Sequence, residues 1–338
     1  MKRPFIAIGE NIHCTRIFKV GGKYCQSQAD GTSAIRAEGP DGTRWLPVPD
    51  VFTGNADWAA GKVKHCAVAI WQGNYGADEA MRTAGRDYIT SLAQAQQANG
   101  AAYLDVNVDE FSTDIEERAR LIAWTVDVIQ NAVSLPVSVD SSNTTILDAG
   151  LAAADLSRGR PMVNSASLDR VDALDVAHRH NAVLVVSAAG EAGLPNEVDE
   201  RMVNIRRIVA MAEAKGFALA DLFVDPLVFP IATDGLNGKR FLDTVAAVRA
   251  AFGEEIHITA GLSNVSFGMP NRKLINQVFS RLACDFGADS GIVDPEQING
   301  TILAAMDPDM EAFSLARELL LGNDEYGMNF ITAMRDAR

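Results

Sequence analysis

The residues best able to do chemistry stand where apolar runs end. Glu10 follows Phe5-Ile6-Ala7-Ile8-Gly9, Asp105 and Asn107 lie in Leu104-Asp105-Val106-Asn107-Val108, and Asp140 and Asn143 lie in Val139-Asp140-Ser141-Ser142-Asn143. Asn164, Asp225, Asn264 and Asp294 end later runs. Converging carboxylates and carbonyls suit Mg²⁺. No histidine joins them at ligand spacing, however, and no phosphate-cradling glycine loop follows a strand, so no metal site is expected. The same groups suit a neutral heterocycle rich in N–H groups, because one carboxylate can accept from a ring N–H and an exocyclic amine together. The densest polar stretch is Gly261-Leu262-Ser263-Asn264-Val265-Ser266-Phe267-Gly268-Met269-Pro270-Asn271-Arg272. Gly261 is open to backbone angles closed to other residues, Ser263, Asn264 and Ser266 offer donors and acceptors without fixed charge, and Arg272 adds a cation at a helix start. Serine and asparagine also turn chains and cap helices, but this loop holds more of them than one cap uses.

A repeating frame must position these residues. Apolar runs at 5–8, 103–108, 136–139, 162–163, 182–186, 222–224, 256–260 and 290–293 read as buried strands. Helical periodicity fills the intervals, from residue 77 to the stop at Asn99-Gly100 and then over 113–132, up to 153, and over 171–179, 200–215, 241–252 and 273–286. Further helices start near 297 and 310. Eight strand-then-helix units predict a (β/α)8 TIM barrel, with an open doubly wound sheet as the alternative. Strand ends of a barrel converge on its C-terminal rim, where such enzymes place their sites. Residues 14–76 break the pattern. Val20-Gly21-Gly22-Lys23, Asp30-Gly31-Thr32 and Asp41-Gly42-Thr43 favour tight hairpins, and 64–71 reads as a strand. This is a β-rich lobe inserted after the first strand, on the rim, fit to lid the site, receive a partner or build a dimer contact. The expected organisation is one barrel over 1–338 with that lobe.

Composition narrows the function. The chain has 338 residues, 48% hydrophobic and 22% charged, with a net charge of −14. That charge disfavours nucleic acid, whose phosphates it would repel. No apolar stretch approaches the ~20 residues needed to cross a bilayer, and Met1-Lys2-Arg3-Pro4 does not begin a leader, so a cytoplasmic protein is expected. Cys14, Cys25, Cys66 and Cys284 are too scattered for a disulfide framework. His13-Cys14, Cys25 and His65-Cys66 lack the paired Cys-x-x-Cys knuckle of a zinc site and read as ordinary interior residues.

The strand-end motifs, with Val163-Asn164-Ser165, Val224-Asp225-Pro226-Leu227 and Gly261-Leu262-Ser263-Asn264-Val265-Ser266, resemble in kind and order those of the methyltetrahydrofolate:corrinoid methyltransferases. That family shares a pterin-binding barrel with dihydropteroate synthase and with the folate domain of cobalamin-dependent methionine synthase. The likeness covers 4–12 and about 77–295, and residues 14–75 carry no part of it. It implies that Asp105, Asn143 and Asp225 hold the pterin ring, with Asn107, Asn164, Gly261, Ser263, Ser266 and Arg272 completing the contacts. Asn264 would hydrogen-bond the N5 region. Transfer of the methyl group to Co(I) needs N5 to gain positive charge before it leaves, and a bond that strengthens as N5 is protonated lowers that barrier selectively. Glu10 and Asp140 would organise the water that brings the proton.

The cobalt-ligating Asp-x-His-x-x-Gly pattern is absent, and Glu255-Ile256-His257 fails it, so the corrinoid is expected on a separate carrier protein. A homodimer is implied by resemblance. Departures from the family are Gly9-Glu10-Asn11, which lacks a first-strand cation, and Phe267, which is read either as a packed aromatic or as a pterin contact. Beyond Arg272 the rim carries little positive charge. Dihydropteroate synthase, the alternative enzyme, should have a basic seventh-strand loop and a closing Arg-x-His, whereas here His257 is the last histidine. A non-catalytic folate-binding barrel is the reading from another class. The direction of methyl transfer is not encoded in these residues.

Overall fold

The structure, a computed structural model, describes residues 3–39 and 42–336. Met1-Lys2 lies outside them, as does Asp41 of the expected hairpin turn. The main sheet has eight parallel strands: β1 Ile6–His13, β2 Ala101–Asn107, β3 Val137–Asp140, β4 Met162–Ala166, β5 Val183–Ser187, β6 Leu222–Asp225, β7 His257–Ile258 and β8 Ser290–Val293. Hydrogen bonding orders them β7-β6-β5-β4-β3-β2-β1-β8. Beyond β7, Gly261 bridges Ile292 in parallel, and the Ile292 N–H donates to Ala260 O at 2.9 Å. The fold is a (β/α)8 barrel with helices between the strands, as alternating apolar strands and amphipathic helices require. The strand expected over 256–260 survives only as His257–Ile258, because the chain turns into a 3₁₀ segment, Leu262–Ser266.

The chain gathers into two compact units. The larger holds residues 3–9, 99–103 and 162–336. Its centre is a layer of Ile8, Met162, Val183, Val185, Phe223 and Ile292, with Ile6 and Tyr103 packed against it. These are alternate residues of neighbouring strands, as a pleated sheet closed on itself demands. Below that layer His257 stacks on Phe223, and its Nδ1 lies 2.8 Å from Asp289 Oδ2. Arg3 also reaches Asp289, at 3.0 Å, so this buried carboxylate is matched from two sides.

The smaller unit holds residues 10–98 and 104–161. Its early part pairs Ile17–Lys19 with Lys62–Lys64 and strings Cys25–Ser27, Ser33–Gly39 and Gly42–Pro47 into a second small sheet. The expected strand over 64–71 is instead α1, His65–Tyr75. The run His65-Cys66-Ala67-Val68-Ala69-Ile70 is buried throughout, and a short wholly apolar run has no period to tell strand from helix. Next come α2, Glu79–Ala98, and α3, Ile115–Ala132, whose N-cap Asp114 accepts from the backbone of Glu116 and Glu117. Contact between α1 and α2 depends on glycine. A Cβ at Gly85 would lie 2.4 Å from both Ala69 O and Gly73 N, two backbone atoms that cannot swing aside. Gly85→Ala should therefore prise the pair apart and lower stability by about 3 kcal/mol, the upper range for overpacking, read as a lower denaturation midpoint.

Candidate active site

In the smaller unit, β1, β2 and β3 bring five polar side chains together towards their C-terminal ends. Asp105 is fully buried on β2; its Oδ1 accepts from Ser138 Oγ at 2.5 Å, and its Oδ2 lies 2.7 Å from His13 Nε2. Two residues on, Asn107 Nδ2 donates to Asp140 Oδ2 at 2.9 Å. The period of two on a strand puts Asp105 and Asn107 on one face, and β3 supplies Ser138 and Asp140 by the same rule. Asp109 ties the two strand ends, accepting from Ser141 Oγ at 2.6 Å and from the Ser142 N–H at 2.9 Å. Burial, reinforced by the Asp105 charge, pushes the Asp140 carboxyl up to about 7. Burial alone would lower His13, but its bond to Asp105 and the charges of Asp105, Asp140 and Glu10 raise it instead. One nitrogen and two carboxyl oxygens of His13, Asp105 and Asp140 lie within 4.8 Å of one another. The contacts made by Asp105 and Asn107 are hydrogen bonds within the chain.

The larger unit carries the remaining strand-end residues. Asp225, at the end of β6, accepts from the Leu227 N–H at 2.8 Å. Burial raises its carboxyl to about 6, against the lowering effects of that bond and of the Arg201 guanidinium. Past β7, Leu262 and Val265 are buried and anchor the 3₁₀ segment, while Asn264 is half-buried. Gly261 stands beside Asn264: a Cβ there would come within 3.0 Å of Asn264 Nδ2. Arg272, at the start of the helix Arg272–Phe286, donates to Ser266 Oγ at 2.9 Å and to Ser263 O at 3.1 Å. Ser263, Ser266 and Arg272 thus brace their own loop. Asp294 likewise caps its own turn, accepting from the Glu296 N–H at 3.1 Å. Asn164 is half-buried on β4.

Several sequence expectations change. A histidine does join the carboxylates: His13 meets Asp105, and the two are 92 positions apart in the chain, a separation that no local spacing reveals. Asn11 still stands where the first-strand cation would be, but Arg16, beyond the strand, brings a cation to Glu10, its Nη2 2.6 Å from Glu10 Oε1. Positive charge near the strand ends is not confined to Arg272, since Arg118 approaches Asp109 at 3.7 Å and the fully buried Arg201 acts on Asp225. Phe267 does not pack under the loop; it is 47% exposed, with the Arg272 guanidinium 4.4 Å above its ring. Asn143 accepts from the Thr145 N–H at 2.9 Å as the N-cap of α4, Thr144–Ala152. Among the histidines and cysteines of the lobe, His65 stacks on Phe18 with its Nδ1 3.5 Å from Cys66 Sγ, while His13 turns to Asp105.

Known proteins match this chain in both sequence and fold. Residues 76–294 match the family described as pterin binding enzyme. A methylcorrinoid:tetrahydrofolate methyltransferase from Eubacterium limosum is 30% identical over 260 residues, covering 74% of this chain and 88% of the relative. Among solved structures, dihydropteroate synthase from Xanthomonas albilineans with 4-aminobenzoic acid superposes with a TM-score of 0.51 at 20% identity, over 72% of this chain and 88% of that one. The same enzyme in complex with indole-2-carboxylic acid and 6-chloroguanine gives 0.52 at 20% identity, over 68% and 85%. These structures share the barrel. The chain is an enzyme of the pterin-binding family and belongs, within it, with the methyltetrahydrofolate:corrinoid methyltransferases.

Proposed function

We propose that this enzyme moves a methyl group between N5 of tetrahydrofolate and the cobalt of a corrinoid carried by a separate protein. The observation that carries the reading is the Asp105-Asn107-Asp140 arrangement on β2 and β3, rich in acceptors and set in a buried strand-end environment. An amino-pyrimidinone edge offers several N–H donors, and buried carboxyls are well suited to accept them. The name of the Eubacterium limosum relative supports the same reaction.

In this proposal Asp105 and Asn107 bind and orient the heterocycle, as do Asn143, Asn164 and Asp225. Asn264 hydrogen-bonds N5, Glu10 and Asp140 order the water that brings the proton, and Gly261, Ser263, Ser266 and Arg272 shape the loop that presents Asn264. The corrinoid supplies cobalt as the methyl donor or acceptor. The proposal includes a cytoplasmic homodimer, one barrel with the 14–76 lobe, and no metal ion held by the chain itself.

Purified protein mixed with methyltetrahydrofolate and cob(I)alamin, free or carried, should convert the cobalt spectrum to that of methylcobalamin; methylcobalamin with tetrahydrofolate tests the reverse. Conversion in either direction supports the reading. Folate binding without conversion in either direction would make the chain a binding barrel instead.

A further inference from the structure

We propose that His13 is a positioning residue that fixes Asp105 as a permanent acceptor and leaves Asp140 as the carboxyl that exchanges a proton with the bound heterocycle. The inference rests on the methyl-transfer reading for its ligand, but its geometry is independent of it. His13 Nε2 faces Asp105 Oδ2 at 2.7 Å, and Ser138 Oγ holds Oδ1 at 2.5 Å, so each Asp105 oxygen already has a donor. Asp140 is bonded differently: Asn107 Nδ2 meets Oδ2 at 2.9 Å, and Oδ1 has no hydrogen-bond partner among the described residues.

Neighbouring charges fix the proton count. Glu10 is matched by Arg16 at 2.6 Å, and Asp109 has Arg118 at 3.7 Å. That leaves Asp105 and Asp140 facing the one imidazole of His13. Two buried carboxylates this close do not both stay ionised, and the cation bonds Asp105, so the proton falls to Asp140. The raised titration of both His13 and Asp140 agrees with this division. A heterocycle set against the pair meets one fixed acceptor and one carboxyl able to donate.

The test is the pH dependence of tetrahydrofolate binding, together with the imidazole NMR titration of His13 in the whole protein. Affinity should fall about tenfold per pH unit above the Asp140 titration, and Asp140→Asn should abolish that limb. Without His13 the local charge is more negative, so Asp140 holds its proton longer, and His13→Gln should move the limb to higher pH by about one unit, tenfold in proton concentration. A merely structural histidine would weaken binding at every pH and leave the limb in place, a result that overturns the proposal. An imidazole titrating at or below the ordinary histidine range in the native protein would also overturn it, even if His13→Gln fails to fold. Absence of methyl transfer, with the shifted limb and raised imidazole intact, would sink the reaction assigned above and leave this inference standing.

Discussion

Asn264→Ala should slow the proposed methyl transfer by about a hundredfold or more while weakening folate binding far less, because a hydrogen-bond acceptor such as the amide oxygen, aimed at positive charge that develops only in the transition state, typically contributes that much. N5 leaves as a poor amine unless it gains positive charge, and the Asn264 amide would bond it most strongly as that charge appears. The backbone around the residue is secured without its side chain. The Asn264 N–H donates to Gly261 O at 3.2 Å, the Phe267 N–H to Asn264 O at 3.2 Å, and the Ile231 N–H to Val265 O at 3.0 Å. Buried Leu262 and Val265 pin both sides of the turn. Truncation should therefore cost less than about 1 kcal/mol of stability, as for most changes that leave core and caps intact. Single-turnover cobalt spectra set beside folate Kd separate the effects. A weakened folate Kd with an unchanged single-turnover rate at saturating folate would mean that Asn264 binds the ground state as tightly as the transition state, and the assigned role would be wrong.

How far the sequence foretold this arrangement depends on how local the signal was. Strand ends are legible because a buried parallel strand is a continuous apolar run that stops where the chain turns polar; Asp140 and Asp225 end their strands as that logic predicts, whereas Asp105 lies inside β2, fully buried, and Asn264 lies in the 3₁₀ segment past β7. Partners were not legible. His13 and Asp105 meet only because β1 and β2 are neighbours in the sheet, and nothing within either segment marks the other. Arg16 lies six positions past Glu10, outside the strand, and only the fold turns its guanidinium back onto that carboxylate. Arg201 looks like an ordinary charged residue of an amphipathic helix, and only the packing of that helix buries it. The helix His65–Tyr75 is illegible for a different reason: a run buried on every side carries no phase.

Arg201→Ala should lower stability by about 3–5 kcal/mol, the range for breaking a buried charge arrangement and emptying a large buried side chain. Arg201 lies on the helix Val198–Ala214, with no exposed surface. Its Nη1 donates to Leu227 O at 3.0 Å, its guanidinium stands 5.1 Å from the Phe229 ring centre, and Nε and Nη2 make no hydrogen bond. Burial brings its pKa down to about 10 despite the pull of Asp225, so it is charged at neutral pH. Leu227 is held at φ 70°, a left-handed conformation costly for leucine, and two bonds keep it there: its N–H to Asp225 and its carbonyl to Arg201. Alanine removes the second bond and the cation together.

The loss should also depend on pH in a definite direction. Asp225 titrates near 6, above its unfolded value, so its favourable contribution is complete below the unfolded pKa and disappears as pH rises through 6. Without Arg201 that pKa moves higher still, and the native carboxylate is disfavoured more strongly wherever Asp225 must ionise. The difference between native and variant should therefore be larger at pH 8 than at pH 4, by about 1.4 kcal/mol for each unit that the Asp225 pKa rises. Denaturation midpoints at the two pH values decide it, with Arg201→Met retaining much of the side-chain volume while deleting the charge. A loss that is the same at both pH values, or that Met fully restores at pH 8, would reduce Arg201 to a space-filling side chain and detach it from Asp225.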